Sequence, residues 1–192
     1  MTSLKGSETE KNLLKAFAGE SQARNRYTFF AGVARSEGYV QIQRIFEETA
    51  ANEKEHAEVF FEYLKDGGMV EITAEYPAGR IGTTEENLLE AAEGEKLEWG
   101  TLYPKFEEVA REEGFTDIAE SFEEIAEVEE EHEKRYRKLL ANVKNGTVFK
   151  RDEEVEWHCL NCGYIHHGKE APEICPACKH AIDYYELHIP NY

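Results

Sequence analysis

The sequence is poor in positive charge and contains no long apolar segment. Only 22 Lys and Arg residues stand against 40 Asp and Glu residues, which gives a formal net charge of −18 at pH 7. Such a surface repels nucleic acid and anionic lipid, so neither is an expected partner. No apolar run approaches the length of a membrane span, and residues 1–6 contain no apolar signal segment. We therefore expect a cytoplasmic protein.

Cysteine and histidine are scarce in the first 150 residues. All four Cys residues lie between Cys159 and Cys178, and only two of the seven His residues, His56 and His132, precede residue 150. Clustered Cys residues in a chain without an export signal favour a metal site over disulfide bonds.

The segment from residue 4 to residue 145 has the composition and the apolar spacing of helices. Glycines divide it into four helices, at Gly38, Gly67-Gly68, Gly114 and Gly146. Thr83, followed three residues later by Glu86, predicts a capping box at the start of the third helix. The connection over residues 67–82 is long, and the other two are short turns. This pattern predicts a mainly α fold: a ferritin-like four-helix bundle with a long crossover between helices 2 and 3.

The bundle segment contains an internal repeat. Residues 34–56 align with residues 110–132 at an offset of 76, and roughly half of the aligned positions are identical. Further upstream, Gly19-Glu20 matches Gly94-Glu95 at an offset of 75. We therefore predict that the bundle consists of two copies of one helical hairpin.

The change of offset indicates one extra residue in the third helix. Pro104, which cannot donate a backbone hydrogen bond, lies in the interval that contains the insertion. A wide π-type turn absorbs one extra residue, and such turns often occur at functional sites. We expect one near residues 98–104.

Each of the two His residues in the bundle follows a Glu by three residues, and residues at this spacing share one helix face. Two Glu-x-x-His motifs, with one Glu on each of the other two helices, are the ligand set of di-iron and di-manganese bundles. An accidental motif on an acidic helix is the competing explanation, but both His residues occupy equivalent repeat positions. The predicted ligands are Glu20, Glu53, His56, Glu95, Glu129 and His132. Glu130 and Glu131 are predicted to be surface charges.

Three further residues are candidates for roles in catalysis at this site. Glu98 lies on the face of Glu95, where the first hairpin has Ala23, and its spacing fits either a ligand or a surface residue. Tyr27 and Tyr103 occupy matching places in the two hairpins. They fit either hydrogen bonding to ligating carboxylates or core packing.

The C-terminal part holds two Cys-x-x-Cys pairs, Cys159 with Cys162 and Cys175 with Cys178. Two such pairs bind a tetrahedral metal ion, and the spacing alone leaves zinc and iron open. The part after residue 155 has about 37 residues, too few for a stable core without a metal. We expect a bundle domain over residues 1–147, and a linker with a small metal-bound β domain over residues 148–192.

The two cysteine segments, Cys162-Gly163-Tyr164 and Cys175-Pro176-x-Cys178, resemble the knuckles of rubredoxin, which holds one iron in four thiolates. The whole chain, with both domains in this order, resembles the rubrerythrin family. The motifs that carry this resemblance are residues 19–24 (Gly-Glu-Ser-Gln-Ala-Arg), both Glu-x-x-His motifs and the rubredoxin-like tail. The interval between the Cys pairs is shorter than in free-standing rubredoxin, and this trimmed form is usual in the family.

The resemblance implies an oxidoreductase that reduces hydrogen peroxide to water and protects against oxidative stress. It implies two Fe in the bundle and one Fe at the four cysteines. It also implies that Glu98 is a ligand and that one iron shifts between His56 and Glu98 as the oxidation state changes. We expect Glu98 or a Tyr to relay protons during the reaction.

The resemblance further implies a homodimer in which the thiolate-bound iron of one subunit feeds the di-iron site of the other. The electrons are expected from NAD(P)H, through a reductase or a rubredoxin. Three other functions compete with peroxide reduction: ferroxidase or iron-handling activity as in ferritins, plain electron transfer, and a structural role with zinc in both sites.

Overall fold

The computed structural model describes residues 3–191. The first hairpin consists of α1 (Glu8–Ser36) and α2 (Val40–Tyr63). Gly38 has a φ of +85° in the short turn between them, a conformation that favours glycine. The turn predicted at this glycine is therefore confirmed.

The second hairpin begins with α3 (Thr84–Leu97), which opens on the predicted capping box of Thr83 and Glu86. A π-helical turn (Glu98–Leu102) leads directly into α4 (Tyr103–Glu112). The Tyr103 N–H bonds to the Glu98 carbonyl, five residues earlier, so the wide turn absorbs the extra residue and the prediction is confirmed. The last helix of the bundle is α5 (Thr116–Lys144).

The hairpins are joined by a long crossover without helix or strand, which lies between α2 and α3. The Tyr76 hydroxyl donates a hydrogen bond to the Lys15 carbonyl, at 2.9 Å, and so ties the crossover to α1. The bundle with one long crossover is as predicted. No helix within residues 3–191 combines the length and apolar character needed to cross a membrane.

The repeat is also visible in two equivalent hydrogen bonds between the hairpins. Glu37, beside the first turn, accepts a hydrogen bond from the Thr84 N–H at the start of α3, at 3.0 Å. Glu113, at the equivalent place beside the second turn, accepts one from the Thr9 N–H at the start of α1, at 2.8 Å. Each turn thus supplies an acceptor to an N–H group at the start of the other hairpin, where helices have no acceptor of their own.

Two apolar clusters fill the bundle. One contains Tyr27, Phe46 and Tyr136, and the other contains Phe60 and Phe122. A buried Glu separates the clusters along each of the four helices, at Glu20, Glu53, Glu95 and Glu129. The four carboxylates therefore share a dry layer in the middle of the bundle.

The C-terminal part is a three-stranded antiparallel sheet with the strand order β2-β1-β3. Its strands are β1 (Lys150–Cys159), β2 (Ile165–Glu170) and β3 (Tyr185–Leu187), with a 3-10 turn (Ile182–Tyr184) before β3. Fully buried Trp157 and Tyr185 pack beside two of the cysteines in its small core.

Candidate metal centres

The four helices bring all six of the ligands predicted from spacing together at one place, here called the bundle site. They form two groups, and in each group one ligand atom per residue lies within 4.8 Å of the others. The first group is Glu20, Glu53, His56 and Glu129, and the second is Glu53, Glu95, Glu129 and His132. Glu53 and Glu129 belong to both groups, so each carboxylate lies within reach of both halves of the bundle site.

The polar atoms of the bundle site lack the hydrogen-bond partners that burial normally requires. Both oxygens of Glu53 and of Glu129 are buried without a hydrogen bond, and so is the Nδ1 atom of each His. Two imidazoles are too few to balance four buried carboxylates, and uncompensated buried charge is costly, so the cluster needs cations. Oxygen and imidazole donors around two shared positions fit a pair of iron ions.

Both imidazoles lie against the carboxylate of Glu129, which belongs to both groups. His56 Nδ1 is 2.8 Å from Glu129 Oε1, and His132 Nδ1 is 2.8 Å from Glu129 Oε2. Burial disfavours the charged imidazoles, but Glu129 and Glu53 raise the pKa of His56 to about 10 and that of His132 to about 9. In the metal-free protein the two imidazolium charges therefore take the place of metal charges, and a bound metal displaces their protons.

The carboxylates titrate unequally. Burial, followed by repulsion from Glu53 and Glu129, raises the pKa of Glu20 and of Glu95 well above the usual value. Burial also opposes ionisation of Glu53, but His132 and His56 outweigh it and hold its pKa at about 2. Without cations the layer thus keeps some of its carboxyl groups protonated.

Glu98 lies outside both ligand groups and is half-buried. It lines a cavity of about 420 Å³ under the crossover, which we call the Glu98 cavity. The cavity walls also include Gly19, Gln22, Arg26, Tyr76 and Tyr103. Burial, followed by repulsion from Glu129 and Glu53, raises the pKa of Glu98 well above the usual value. Its role as a ligand stays a prediction.

Both predicted tyrosines donate hydrogen bonds to carboxylates of the bundle site. Tyr27 Oη donates to Glu95 Oε1 at 2.7 Å, and Tyr103 Oη donates to Glu20 Oε1. Both side chains are at most 2% exposed and belong to the apolar clusters. Hydrogen bonding and core packing therefore both apply. Burial, followed by repulsion from these carboxylates, raises both tyrosine pKa values well above the usual value, so both residues remain hydrogen-bond donors.

Two residues around the site were not predicted. The Arg26 side chain is 15% exposed and lies in the wall of the Glu98 cavity, where its charge partly offsets the raised pKa of Glu98. Tyr76 closes the cavity from the crossover. No sequence signal distinguishes either residue from its surface neighbours. Glu130 and Glu131 pair with Lys134 at the surface, as predicted.

The four cysteines form a second metal centre, here called the four-cysteine site. The Sγ atoms lie within 4.8 Å of one another, at 3.8 Å for Cys159 and Cys178 and at 3.7 Å for Cys162 and Cys175. A tetrahedral metal with bonds of about 2.3 Å to sulfur needs sulfur–sulfur edges of about 3.8 Å, so the cysteines fit such an ion. Cys159 and Cys175 are buried, and Cys162 is exposed. One edge of this site therefore faces solvent.

Comparison with known proteins finds two family models, one for the bundle and one for the C-terminal part. A family model described as rubrerythrin matches residues 11–140, and one described as the rubredoxin-like domain of rubrerythrin matches residues 157–186. The chain belongs to the rubrerythrin family. The rubrerythrin of Porphyromonas gingivalis is 60% identical over 190 residues, covering 99% of this chain and 94% of that protein. The rubrerythrin of Nitratidesulfovibrio vulgaris is 54% identical over 187 residues, covering 97% of each.

Solved structures agree with the assignment to the rubrerythrin family. Nigerythrin in its fully reduced, all-ferrous state matches with a TM-score of 0.64 and 33% identity, covering 97% of this chain and 89% of that chain. A bacterioferritin of Mycobacterium tuberculosis matches with a TM-score of 0.65 at 19% identity, covering 76% of this chain and 90% of that chain, and shows a shared fold alone.

Membership of the rubrerythrin family, together with the two donor sets, identifies the metals. The bundle site is a di-iron site, and the four-cysteine site binds one iron. The mainly α, ferritin-like fold with a small rubredoxin-like domain is confirmed. The matched ranges lie inside the predicted domains, and the boundary at residues 147/148 stays a prediction.

Proposed function

We propose that this protein is a non-haem di-iron peroxidase that protects against oxidative stress. The reaction consumes one hydrogen peroxide, two electrons and two protons, and it yields two water molecules. When bound, iron supplies the electrons: two at the bundle site, replenished singly from the four-cysteine site. The observation that carries the proposal is the Glu98 cavity, a space of small-molecule size whose wall residue Tyr103 hydrogen-bonds the metal-facing Glu20.

The ligand assignment is part of the proposal. Glu53 and Glu129, which occur in both ligand groups, would contribute to both iron ions. Glu20 and His56 would complete the ligands of one iron, and Glu95 and His132 would complete those of the other. Glu98, which lines the cavity, would be a seventh ligand.

Two residues in the cavity wall are suited to deliver protons. Burial and nearby carboxylates raise the pKa values of Glu98 and Tyr103, so each group holds its proton more tightly than a free side chain does. Both line the cavity that a peroxide molecule would enter. Tyr27 does not line this cavity, so its role is to hold Glu95 in position through the hydrogen bond.

The exposed edge of the four-cysteine site, at Cys162, suits electron entry from a rubredoxin or from an NAD(P)H-dependent reductase. Within one chain the two sites are separated along α2. The segment that contains Cys159 and Cys162 contacts α2 at Arg44. Glu53 lies nine residues further along α2, about 14 Å at 1.5 Å per residue. We propose, on the resemblance to the rubrerythrin family, a homodimer in which the four-cysteine site of one subunit serves the bundle site of its partner.

The peroxidase proposal is tested anaerobically. The iron-loaded protein is fully reduced and mixed rapidly with hydrogen peroxide or with oxygen, while the absorbance of both iron sites is followed. Rapid oxidation by peroxide with slow oxidation by oxygen supports the proposal. Faster oxidation by oxygen would instead support ferroxidase or oxidase chemistry. No oxidation by either, with full iron occupancy, would mean that the bundle site is not a reaction centre.

The dimer proposal is tested by mixing two inactive variants. A Cys162→Ser, Cys178→Ser chain lacks the four-cysteine site, and a Glu53→Ala, His56→Ala chain lacks the bundle site. Transfer between subunits predicts that refolding the two chains together restores turnover, because the mixed dimer retains one working pair. Restoration that never exceeds the sum of the separate variants would contradict the proposed dimer.

A further inference from the structure

The small C-terminal domain rests on the end of the first hairpin. The rings of Tyr39 and Phe149 stack, with centroids 6.1 Å apart and planes 15° apart. The Arg35 guanidinium lies over the Tyr184 ring, 4.7 Å from its centroid, and also hydrogen-bonds the Tyr184 hydroxyl. These contacts involve both the linker side of the domain and the turn before β3, so they fix its orientation.

One contact reaches the metal-binding segment itself. Arg44 Nη2, on α2, donates a hydrogen bond to the Leu160 carbonyl at 3.1 Å. Leu160 follows Cys159 directly in the segment that ends with Cys162. The Leu160 N–H in turn donates to the Tyr184 carbonyl, at 2.8 Å. A positive charge from the bundle therefore lies one residue away from a thiolate ligand.

The internal repeat allows Arg44 to be compared with the equivalent residue of the second hairpin. The residue equivalent to Arg44 in the second hairpin is the exposed Glu120, an acidic residue instead of a basic one. Arg111, the equivalent of Arg35, pairs with Glu107 and Glu123 in its own hairpin. The two hairpin ends have therefore diverged in charge, and the cation is found where the four-cysteine site docks.

The charge at this position affects the iron through simple electrostatics. Four thiolates and one iron carry a net charge of −1 in the ferric state and −2 in the ferrous state. A nearby cation stabilises the more negative ferrous form, and net charge and hydrogen bonding near the sulfurs set the reduction potential of such sites. We propose that Arg44 is a positioning residue that docks the Cys159–Cys162 segment on α2 and raises the reduction potential of the four-cysteine iron.

A charge series at position 44 tests this proposal in the full-length, iron-loaded protein. The measurement is the midpoint potential of the four-cysteine iron by spectroelectrochemical titration. Arg44→Gln is expected to lower the potential, Arg44→Glu to lower it further, and Arg44→Lys to keep most of the wild-type value. Arg80→Gln is the matched control, because Arg80 is an exposed arginine of the crossover, paired with Glu86 and away from the cysteines.

Two results would overturn the proposal. One is equal potentials in Arg44→Gln and Arg80→Gln, which would mean that position 44 has no special influence on the iron. The other is an Arg44→Lys potential as low as that of Arg44→Gln, which would show that charge is not the cause. Both readings concern the four-cysteine iron alone and hold whether or not the bundle site reduces peroxide.

Discussion

Tyr103 of the second hairpin donates a hydrogen bond to Glu20 of the first. Its counterpart in the repeat, Tyr27, donates from the first hairpin to Glu95 of the second. Each half of the bundle therefore orients the metal-facing carboxylate of the other half. The two bonds are related by the repeat, but only Tyr103 lies in the wall of the Glu98 cavity. Both tyrosines therefore have the same structural role, and only Tyr103 is also placed to act in catalysis.

Tyr103→Phe and Tyr27→Phe form a matched pair. Each removes one buried hydrogen bond, so we expect each to lower the free energy of unfolding of the metal-free bundle by about 1–3 kcal/mol. Only Tyr103→Phe is expected to slow oxidation by peroxide, because it also removes a proton donor from the cavity. Thermal unfolding and rapid mixing measure the two effects. Equal slowing in both variants would contradict the proton-donor role.

Glu98→Gln tests whether Glu98 delivers a proton. Since Glu98 lies outside both ligand groups, we expect the variant to retain two iron ions in the bundle site. Loss of a general acid slows proton transfer by about 100-fold or more, so turnover should fall by that order. Glu108→Gln is the control, because it neutralises an exposed glutamate on the same bundle helix. Loss of one iron from the Glu98→Gln protein would instead identify Glu98 as a required ligand.

Removal of iron from the four-cysteine site should unfold the C-terminal domain and leave the bundle intact. The domain is too small to be stable without its metal, whereas the bundle has two apolar clusters of its own. Cys162→Ser should therefore abolish the near-ultraviolet signal of Trp157 while the helical signal in the far ultraviolet persists. Retention of the Trp157 signal without metal would show that the domain folds on its own.

Glu113 provides a prediction about pH and stability. Burial opposes its ionisation, but hydrogen bonds from Thr9 and Glu8 hold the pKa of Glu113 below its usual value. A lowered pKa in the folded state means that the stabilisation is present above the usual carboxyl pKa and disappears as the pH falls through the lowered value. Near neutral pH, Glu113→Gln should cost about 1 kcal/mol of unfolding free energy, as expected for a weakened helix cap.

The measurement is the unfolding midpoint of wild type and Glu113→Gln between neutral and acid pH. The difference should be largest near neutral pH and should vanish in acid. Glu112→Gln, an exposed neighbour, should change the midpoint little at any pH. A difference between wild type and Glu113→Gln that grows in acid would contradict the lowered pKa.

Local spacing was enough to predict which side chains come together in the bundle site and where the wide turn lies. Glu53 and His56 share a helix face because they are three residues apart, and the repeat identifies Glu129 and His132 as their partners. The change of offset between the two copies located the π-helical turn, because such a turn accommodates one extra residue without interrupting the helix.

Residue spacing and the internal repeat could not predict contacts between distant segments. The position of Glu98 in a cavity wall depends on how the crossover packs, through Tyr76, against α1. Arg26 and Arg44 look like any surface arginine in the sequence, and their surroundings exist only after the chain has folded. Spacing also left the choice of metal open, and family membership decided it for iron.

The central claim is that peroxide reacts at the bundle site and draws electrons from the four-cysteine site. The most direct measurement is the rate at which ferric absorbance returns at the four-cysteine site when peroxide is added to the fully reduced protein. The comparison is with the Glu53→Ala, His56→Ala variant, which keeps its four cysteines. We predict rapid return in the wild type and a rate at least about 100-fold lower in the variant. Equal rates in both proteins would show that peroxide oxidises the four-cysteine iron directly, and the account would be wrong.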